Sequence, residues 1–200
     1  TIVDYGRGNL YSLQQVFAYL GAKQQTSSDP DKIKNAEKIL LPGVGAFADG
    51  MASLRHFGLD HALREASDKG ALILGICLGM QLLASESEEF GRHSGLDLIP
   101  GFVRKLPEGE GVRIPNVGWR SVNPAPGNHM LDETLSGEMF YFLHSFFLDL
   151  QDDNDRKATF SFNEVAITAA VQRENLFGLQ FHPEKSGESG LALVERFLRA

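Results

Sequence analysis

Ala71-Leu72-Ile73-Leu74-Gly75-Ile76-Cys77-Leu78-Gly79-Met80-Gln81-Leu82-Leu83 is the stretch from which the rest of the chain can be read. It opens as a continuous apolar run, the pattern of a buried strand, and continues with apolar residues at helical spacing. A strand therefore passes directly into a helix at Cys77. Glycines stand two residues to either side, giving G-x-C-x-G, the thiol counterpart of the G-x-S-x-G nucleophile elbow. On so sharp a turn the nucleophile's backbone is strained, and side chains at the flanking positions would collide with the neighbouring strand and helix. A helix N-terminus favours the thiolate. The Leu78 amide, free at that terminus, can point at an oxyanion. The same cysteine could be a small buried hydrophobe, as most free cysteines are. The elbow alone leaves those two readings even.

Working outward, Ile2-Val3 opens a short strand, and Leu10, Leu13, Val16, Phe17 and Leu20 mark one face of a helix. Gly21 stands where a C-cap glycine belongs. Ile39-Leu40-Leu41 reads as a buried strand ending at Pro42-Gly43, and helices are expected over 47–56 and 59–69. That βαβα order predicts an α/β fold, a parallel sheet with helices on both faces. After Pro100 the character changes to β-rich segments: Val103 to Lys105, Trp119 to Val122, Met139 to Phe142, Ala158 to Phe162, Val165 to Gln172 and Leu176 to Phe181. These are expected to be partly antiparallel. A last amphipathic helix uses Leu191, Val194, Phe197 and Leu198.

The 200 residues, with no repeat or linker, predict a single domain over 1–200. A single cysteine excludes a disulfide framework and any thiolate metal cluster built within one chain. A net charge of −7 argues against nucleic acid as a partner. No apolar stretch approaches the roughly 18–20 residues that span a bilayer, so no membrane association is expected. The chain starts at Thr1 without the basic and apolar regions of a signal peptide. Read with the missing initiator methionine, this predicts a trimmed protein, cytoplasmic by default or in an organelle lumen after processing.

A cysteine nucleophile needs a base. Among six histidines, His56, His61, His93 and His129 lie in surface-like contexts, and His144, inside the aromatic run Phe140 to Phe147, reads as structural. His182 follows the strand ending at Phe181 and precedes Pro183-Glu184. In an extended segment residues two apart project to one side, so Glu184 could orient the His182 ring as in nucleophile–base–orienter triads. Alone, His-Pro-Glu reads as a turn. Paired with the elbow it reads as a site, since open α/β sheets place theirs at the C-terminal strand ends. Past another strand end, the two glycines around Val44 would let its amide approach a ligand as a second oxyanion donor, or form a plain turn. Gly6-Arg7-Gly8 is no dinucleotide motif, because Tyr11 stands where a third glycine is needed.

Pro42-Gly43-Val44-Gly45, Gly75 to Gln81 and Gln180-Phe181-His182-Pro183-Glu184 together resemble the class I, triad-type glutamine amidotransferases. Within them, Val3 to Leu10, Tyr141 to Ser145 and His182 to Ser186 are similar to the glutaminase subunits of imidazole glycerol phosphate synthases. The resemblance implies a three-layer sandwich that hydrolyses glutamine to glutamate and ammonia without cofactor or metal. Cys77 would attack the side-chain carboxamide, and His182, oriented by Glu184, would serve both halves of a γ-glutamyl thioester mechanism. Amides near Val44 and Leu78 would stabilise the oxyanion. Gly45, Gln81, Ser145 and Phe146 would hold the glutamine, the last two through backbone groups. The implied partner is a (β/α)8-barrel synthase subunit in a heterodimer, which channels the ammonia into histidine biosynthesis. Asn9, Trp119, Tyr141 and Lys185 match positions near the docking face or tunnel mouth, although Trp119 could equally be a core aromatic.

Two departures stand out. The family commonly has Pro-His-Met-Gly-Trp where this chain reads Pro115-Asn116-Val117-Gly118-Trp119, and a tyrosine where it has Phe146. Neither touches the triad; both bear on partner contact and the substrate loop. The competing readings are a glutaminase serving another synthase, a self-sufficient cysteine hydrolase, and a binding module with an inert cysteine.

Overall fold

A computed structural model describes residues 1–111, 113–126, 130 and 135–200. In chain order the first half carries β1 (Ile2–Val3), α1 (Leu10–Tyr19), β2 (Thr26–Ser27), α2 (Pro30–Lys34), β3 (Lys38–Gly43), α3 (Phe47–His56), α4 (Leu59–Asp68), β4 (Leu72–Cys77) and α5 (Leu78–Leu82). Then come β5 (Ala84–Ser87), β6 (His93–Ser94), β7 (Ile99–Lys105), β8 (Asn116–Ser121), β9 (Asn123–Pro124), β10 (Met139–His144) and β11 (Phe146–Leu150). The chain closes with β12 (Arg156–Phe162), β13 (Val165–Arg173), β14 (Leu176–Leu179) and α6 (Gly187–Arg199).

An 8-stranded sheet in the order β2-β1-β3-β4-β14-β13-β12-β9 forms the centre. From β2 to β14 its strands are parallel, and from β14 to β9 antiparallel. The sequence patterns explain the change. The first strands are continuous apolar runs because helices cover both faces. Consecutive residues accordingly enter opposite cores: Leu40 and Leu74 pack with Leu13 and Phe17 of α1 and Phe197 of α6. Leu41 and Ile73 pack with Phe47 and Met51 of α3, Leu63 of α4 and Met80 of α5. Helices on either side of one sheet make three layers. Among the described residues, no helix is long and apolar enough to cross a membrane.

Two features lie outside the sequence expectation. The apolar periodicity after Cys77 supports only the five residues of α5 before the chain turns into β5. A second, 4-stranded sheet follows in the order β11-β7-β5-β6, and β8 with β10 forms a separate two-stranded ribbon. Apart from the short β5–β6 hairpin, these pairings join residues 15 to 49 apart, which local periodicity cannot register. The predicted strands near 103–105, 119–122 and 139–142 do exist, with longer or shifted bounds.

Candidate active site

The order β3-β4-β14 decides which chain segments meet. Gly43 pairs with Cys77 across β3 and β4, and Leu179 pairs with Ile76 across β4 and β14. The three parallel strands therefore end side by side, so Val44, Cys77 and the segment from Gln180 to His182 emerge at one edge. The elbow is built as its glycines require. Cys77 has φ 56° and ψ −113°, a conformation strained for a side-chain-bearing residue. A Cβ on Gly79 would lie 1.7 Å from the Leu41 carbonyl oxygen, and one on Gly75 would lie 2.7 Å from Gly79 and Met80 backbone atoms. Only hydrogen at both positions lets α5 pack directly against β3 and β4.

His182 and Glu184 meet by a different route from the one their spacing suggests. His182 is extended, but Pro183–Lys185 forms a 3-10 turn. The preset φ of Pro183 starts that turn, and the turn folds the carboxylate back onto the ring. Glu184 Oε1 lies 2.8 Å from His182 Nδ1, with both side chains almost fully buried. Burial by itself would push the imidazole down. The nearby Cys77 and the hydrogen bond to Glu184, with the charge of each, outweigh it and push the ring up to about 10. His182 Nε2 makes no well-formed hydrogen bond, although Cys77 lies near enough to favour the protonated ring. Such contacts commonly tighten only when substrate arrives. The thiol itself packs 3.7 Å from the Leu143 carbonyl oxygen and 3.9 Å from Gln180 Nε2.

These groups face a cavity of about 220 Å³ whose walls include Val44, Gly45, Cys77, Leu78, Gln81, Glu89, Ser145, Phe146 and His182. Every triad, oxyanion and substrate residue expected from the sequence, except Glu184 behind the ring, thus lines one pocket. Val44 lines it with a difference. Its N–H donates to the Arg7 carbonyl at 3.3 Å and is not free for an oxyanion. Leu78 opens α5, where an amide lacks an intrahelical acceptor.

Of the four residues expected at a docking face, Trp119 and Tyr141 lie on the ribbon and Lys185 reaches it from the 3-10 turn. Trp119 is about half exposed and so is no core aromatic; its ring meets Tyr141 edge to face at 6.0 Å. Lys185 Nζ stands 5.6 Å from the Tyr141 ring centroid. Val117, Met139 and Leu143 are exposed beside them, making an apolar strip next to the pocket mouth. Asn9 is the N-cap of α1, its Oδ1 accepting from the Ser12 amide.

Two groups escaped the sequence reading. Glu89 sits in a charge run that looks solvated, yet it is buried in the pocket wall, with Oε2 accepting from the Phe47 amide at 2.6 Å. His144 is satisfied at both ring nitrogens, as a structural histidine would be, but it also lines the pocket. His56 and His61 are exposed, His93 is partly buried, and His129 lies outside the described residues.

Residues 1–200 match the family described as Glutamine amidotransferase class-I, and the chain belongs to that family. It is 44% identical over 197 residues to the imidazole glycerol phosphate synthase subunit HisH of Moorella thermoacetica, covering 98% of this chain and 92% of that one. To the subunit of the same name from Chlorobium luteolum it is 42% identical, covering 98% and 97%. To HisH 1 of Legionella pneumophila it is 40% identical, covering 100% and 98%. Within the family the chain therefore stands among the HisH glutamine amidotransferase subunits of imidazole glycerol phosphate synthase. A crystal structure of a glutamine amidotransferase superposes with a TM-score of 0.78 at 16% identity, covering 99% of this chain and 97% of the other. PurLQS from Thermotoga maritima gives 0.75 at 20% identity, covering 99% and 96%. At those identities the likeness is one of fold.

Proposed function

We propose that this chain hydrolyses glutamine at Cys77 and passes the ammonia to a synthase subunit docked over the pocket. The observation that carries the reading is a strained elbow cysteine beside a buried His182–Glu184 pair, all at one pocket. The Cys77 sulfur attacks the carboxamide carbon of glutamine, with His182 holding the thiol's proton. The C=O electrons move to oxygen, and the Leu78 amide stabilises the oxyanion. As the tetrahedral intermediate collapses, His182 gives the proton to the leaving nitrogen and ammonia departs. Water, deprotonated by His182, then cleaves the γ-glutamyl thioester to glutamate and free thiol. Glu184 fixes the ring's tautomer throughout and stabilises its charged form. Glu89, a buried carboxylate in the wall, is suited to the substrate's α-ammonium group.

The chain by itself is set to be slow. With the Val44 amide donating to Arg7, the second oxyanion donor is missing, a loss worth about 10²–10³ in rate. Docking a (β/α)8-barrel synthase on the Val117–Trp119–Leu143 strip, beside that loop, would release the amide. Ammonia would then form only where a consumer waits, in a cytoplasmic heterodimer serving histidine biosynthesis.

The test measures ammonia release from glutamine by the chain with and without its synthase, and synthase turnover on free ammonia. Cys77→Ala is expected to abolish glutamine-dependent turnover and spare ammonia-dependent turnover. A glutamine-like diazo-ketone is expected to label Cys77. Full glutamine-dependent activity in Cys77→Ala would overturn the triad. Fast hydrolysis without any partner would point instead to a self-sufficient hydrolase.

A further inference from the structure

Behind the pocket runs a chain of buried polar side chains that the reaction above leaves unused. Arg120 Nε donates to Asn116 Oδ1 at 2.9 Å, and Asn116 Nδ2 lies 3.1 Å from His144 Nε2. His144 Nδ1 is 2.8 Å from the Phe146 carbonyl oxygen. Gln81 Nε2 reaches that same oxygen at 2.8 Å and Gln180 Oε1 at 3.0 Å. Asn116, His144, Gln81 and Gln180 are 1%, 6%, 5% and 0% exposed, so water does not serve as an alternative partner for most of their polar atoms.

Counting donors and acceptors leaves one arrangement. Arginine only donates, so Asn116 turns its oxygen to Arg120 and its NH₂ to His144. The Phe146 carbonyl only accepts, so the ring carries its proton on Nδ1 and accepts at Nε2. The ring is therefore neutral, which its burial independently demands: desolvation pushes it down to about 4, against the pull of the Phe146 bond. Both lone pairs of the Phe146 oxygen are then occupied, and so are both amide hydrogens of Gln81. The Gln81 Oε1 is left as that amide's polar atom with no protein partner among the described residues, in the pocket wall.

We infer that His144 is a positioning residue for the glutamine pocket: its Nδ1–H fixes the Phe146 carbonyl, which holds Gln81 with an acceptor, not a donor, offered to the substrate, and Asn116 selects the tautomer. This rests on the pocket being a glutamine site. Glutamine brings N–H donors at its α-ammonium and its carboxamide, so a Gln81 turned the other way would meet donor with donor. Asn116 also gives this chain's departure at that position a role, since its amide supplies the donor that Nε2 needs.

The test uses steady-state glutamine hydrolysis by the assembled synthase, with kcat and KM separated and each variant's thermal unfolding recorded. In H144N the amide nitrogen falls near the place of Nδ1, and in H144Q near that of Nε2. H144N is expected to keep KM within about three-fold of wild type, and H144Q to raise it about ten-fold or more with a smaller change in kcat. N116L, which alters no pocket residue, is expected to raise KM about three-fold or more while the fold is retained. If H144Q equals or surpasses H144N, or if a folded N116L leaves KM unchanged, the positioning role is wrong. A wild-type complex that hydrolyses no glutamine would remove the pocket reading and this inference with it.

Discussion

Ser186→Ala should slow the enzyme without replacing any residue that lines the pocket. Ser186 is the N-cap of α6, yet its hydroxyl caps nothing there. It accepts from the Tyr141 amide at 3.0 Å and donates to the His182 carbonyl at 2.6 Å. The His182 amide in turn donates to the Tyr141 carbonyl at 2.9 Å. Three hydrogen bonds thus clip His182 to the free edge of β10, on the ribbon whose other strand, β8, carries Trp119. The serine is 3% exposed, so the loss is not made good by water. Losing the hydroxyl removes one bond and strips the Tyr141 N–H of its acceptor, about 2–3 kcal/mol together. The freed His182 carbonyl also loosens the ring relative to Cys77. Misplacements near 1 Å can cost about 10²-fold, so a fall of about ten-fold in kcat of the assembled synthase, with KM within about two-fold, is expected. Urea unfolding reads the stability loss, and glutamine hydrolysis well below the variant's melting temperature reads the rate. A Ser186→Ala chain within about 0.5 kcal/mol of wild type, below any ordinary hydrogen-bond loss, and with unchanged kcat would refute the clip.

Further outcomes follow from the same geometry. His144 is pushed down to about 4 when folded, against about 6.5 unfolded. The unfolded chain therefore binds the extra proton first as pH falls, and stability should drop between about pH 6.5 and 4 by up to about 3 kcal/mol; urea titrations of wild type and His144→Asn should differ in slope over that window alone. His182 is shifted the opposite way, to about 10, so its stabilising contribution is complete below its unfolded value and is lost as pH rises through about 10. In Glu184→Gln the NMR titration midpoint of that ring should fall. Gly79→Ala would place a Cβ 1.7 Å from the Leu41 carbonyl, and calorimetry should show a loss above about 3 kcal/mol or no fold at all. Trp119→Ala removes a half-exposed aromatic from the ribbon; titration calorimetry with the synthase should show affinity reduced about 30-fold or more, with the melting temperature of the free chain little changed.

Much of the site was legible because its signals are local. The elbow is a strand, a glycine, a cysteine, a glycine and a helix within nine residues, and the steric demand on Gly75 acts within that same distance, whereas that on Gly79 comes from Leu41 on β3. The Leu40–Leu41 and Ile73–Leu74 runs announce strands covered on both faces because period-2 geometry sends neighbours into opposite cores. Asn9 has a local part as well: whatever its place at a docking face, its side chain satisfies the first turn of α1.

What the sequence determined by itself is the set of parts: a parallel α/β core, one thiol on a sharp turn, and a histidine and carboxylate at a later strand end. Tertiary structure decided how those parts act. The neighbourhood of β4 and β14, about a hundred residues apart in the chain, brings His182 to Cys77. The Val44 amide finds Arg7, Glu89 leaves a charged run for a pocket wall, and Asn116 sets the proton on His144. In each case the outcome depends on which buried donor meets which acceptor across the fold, and short-range periodicity carries no record of that pairing.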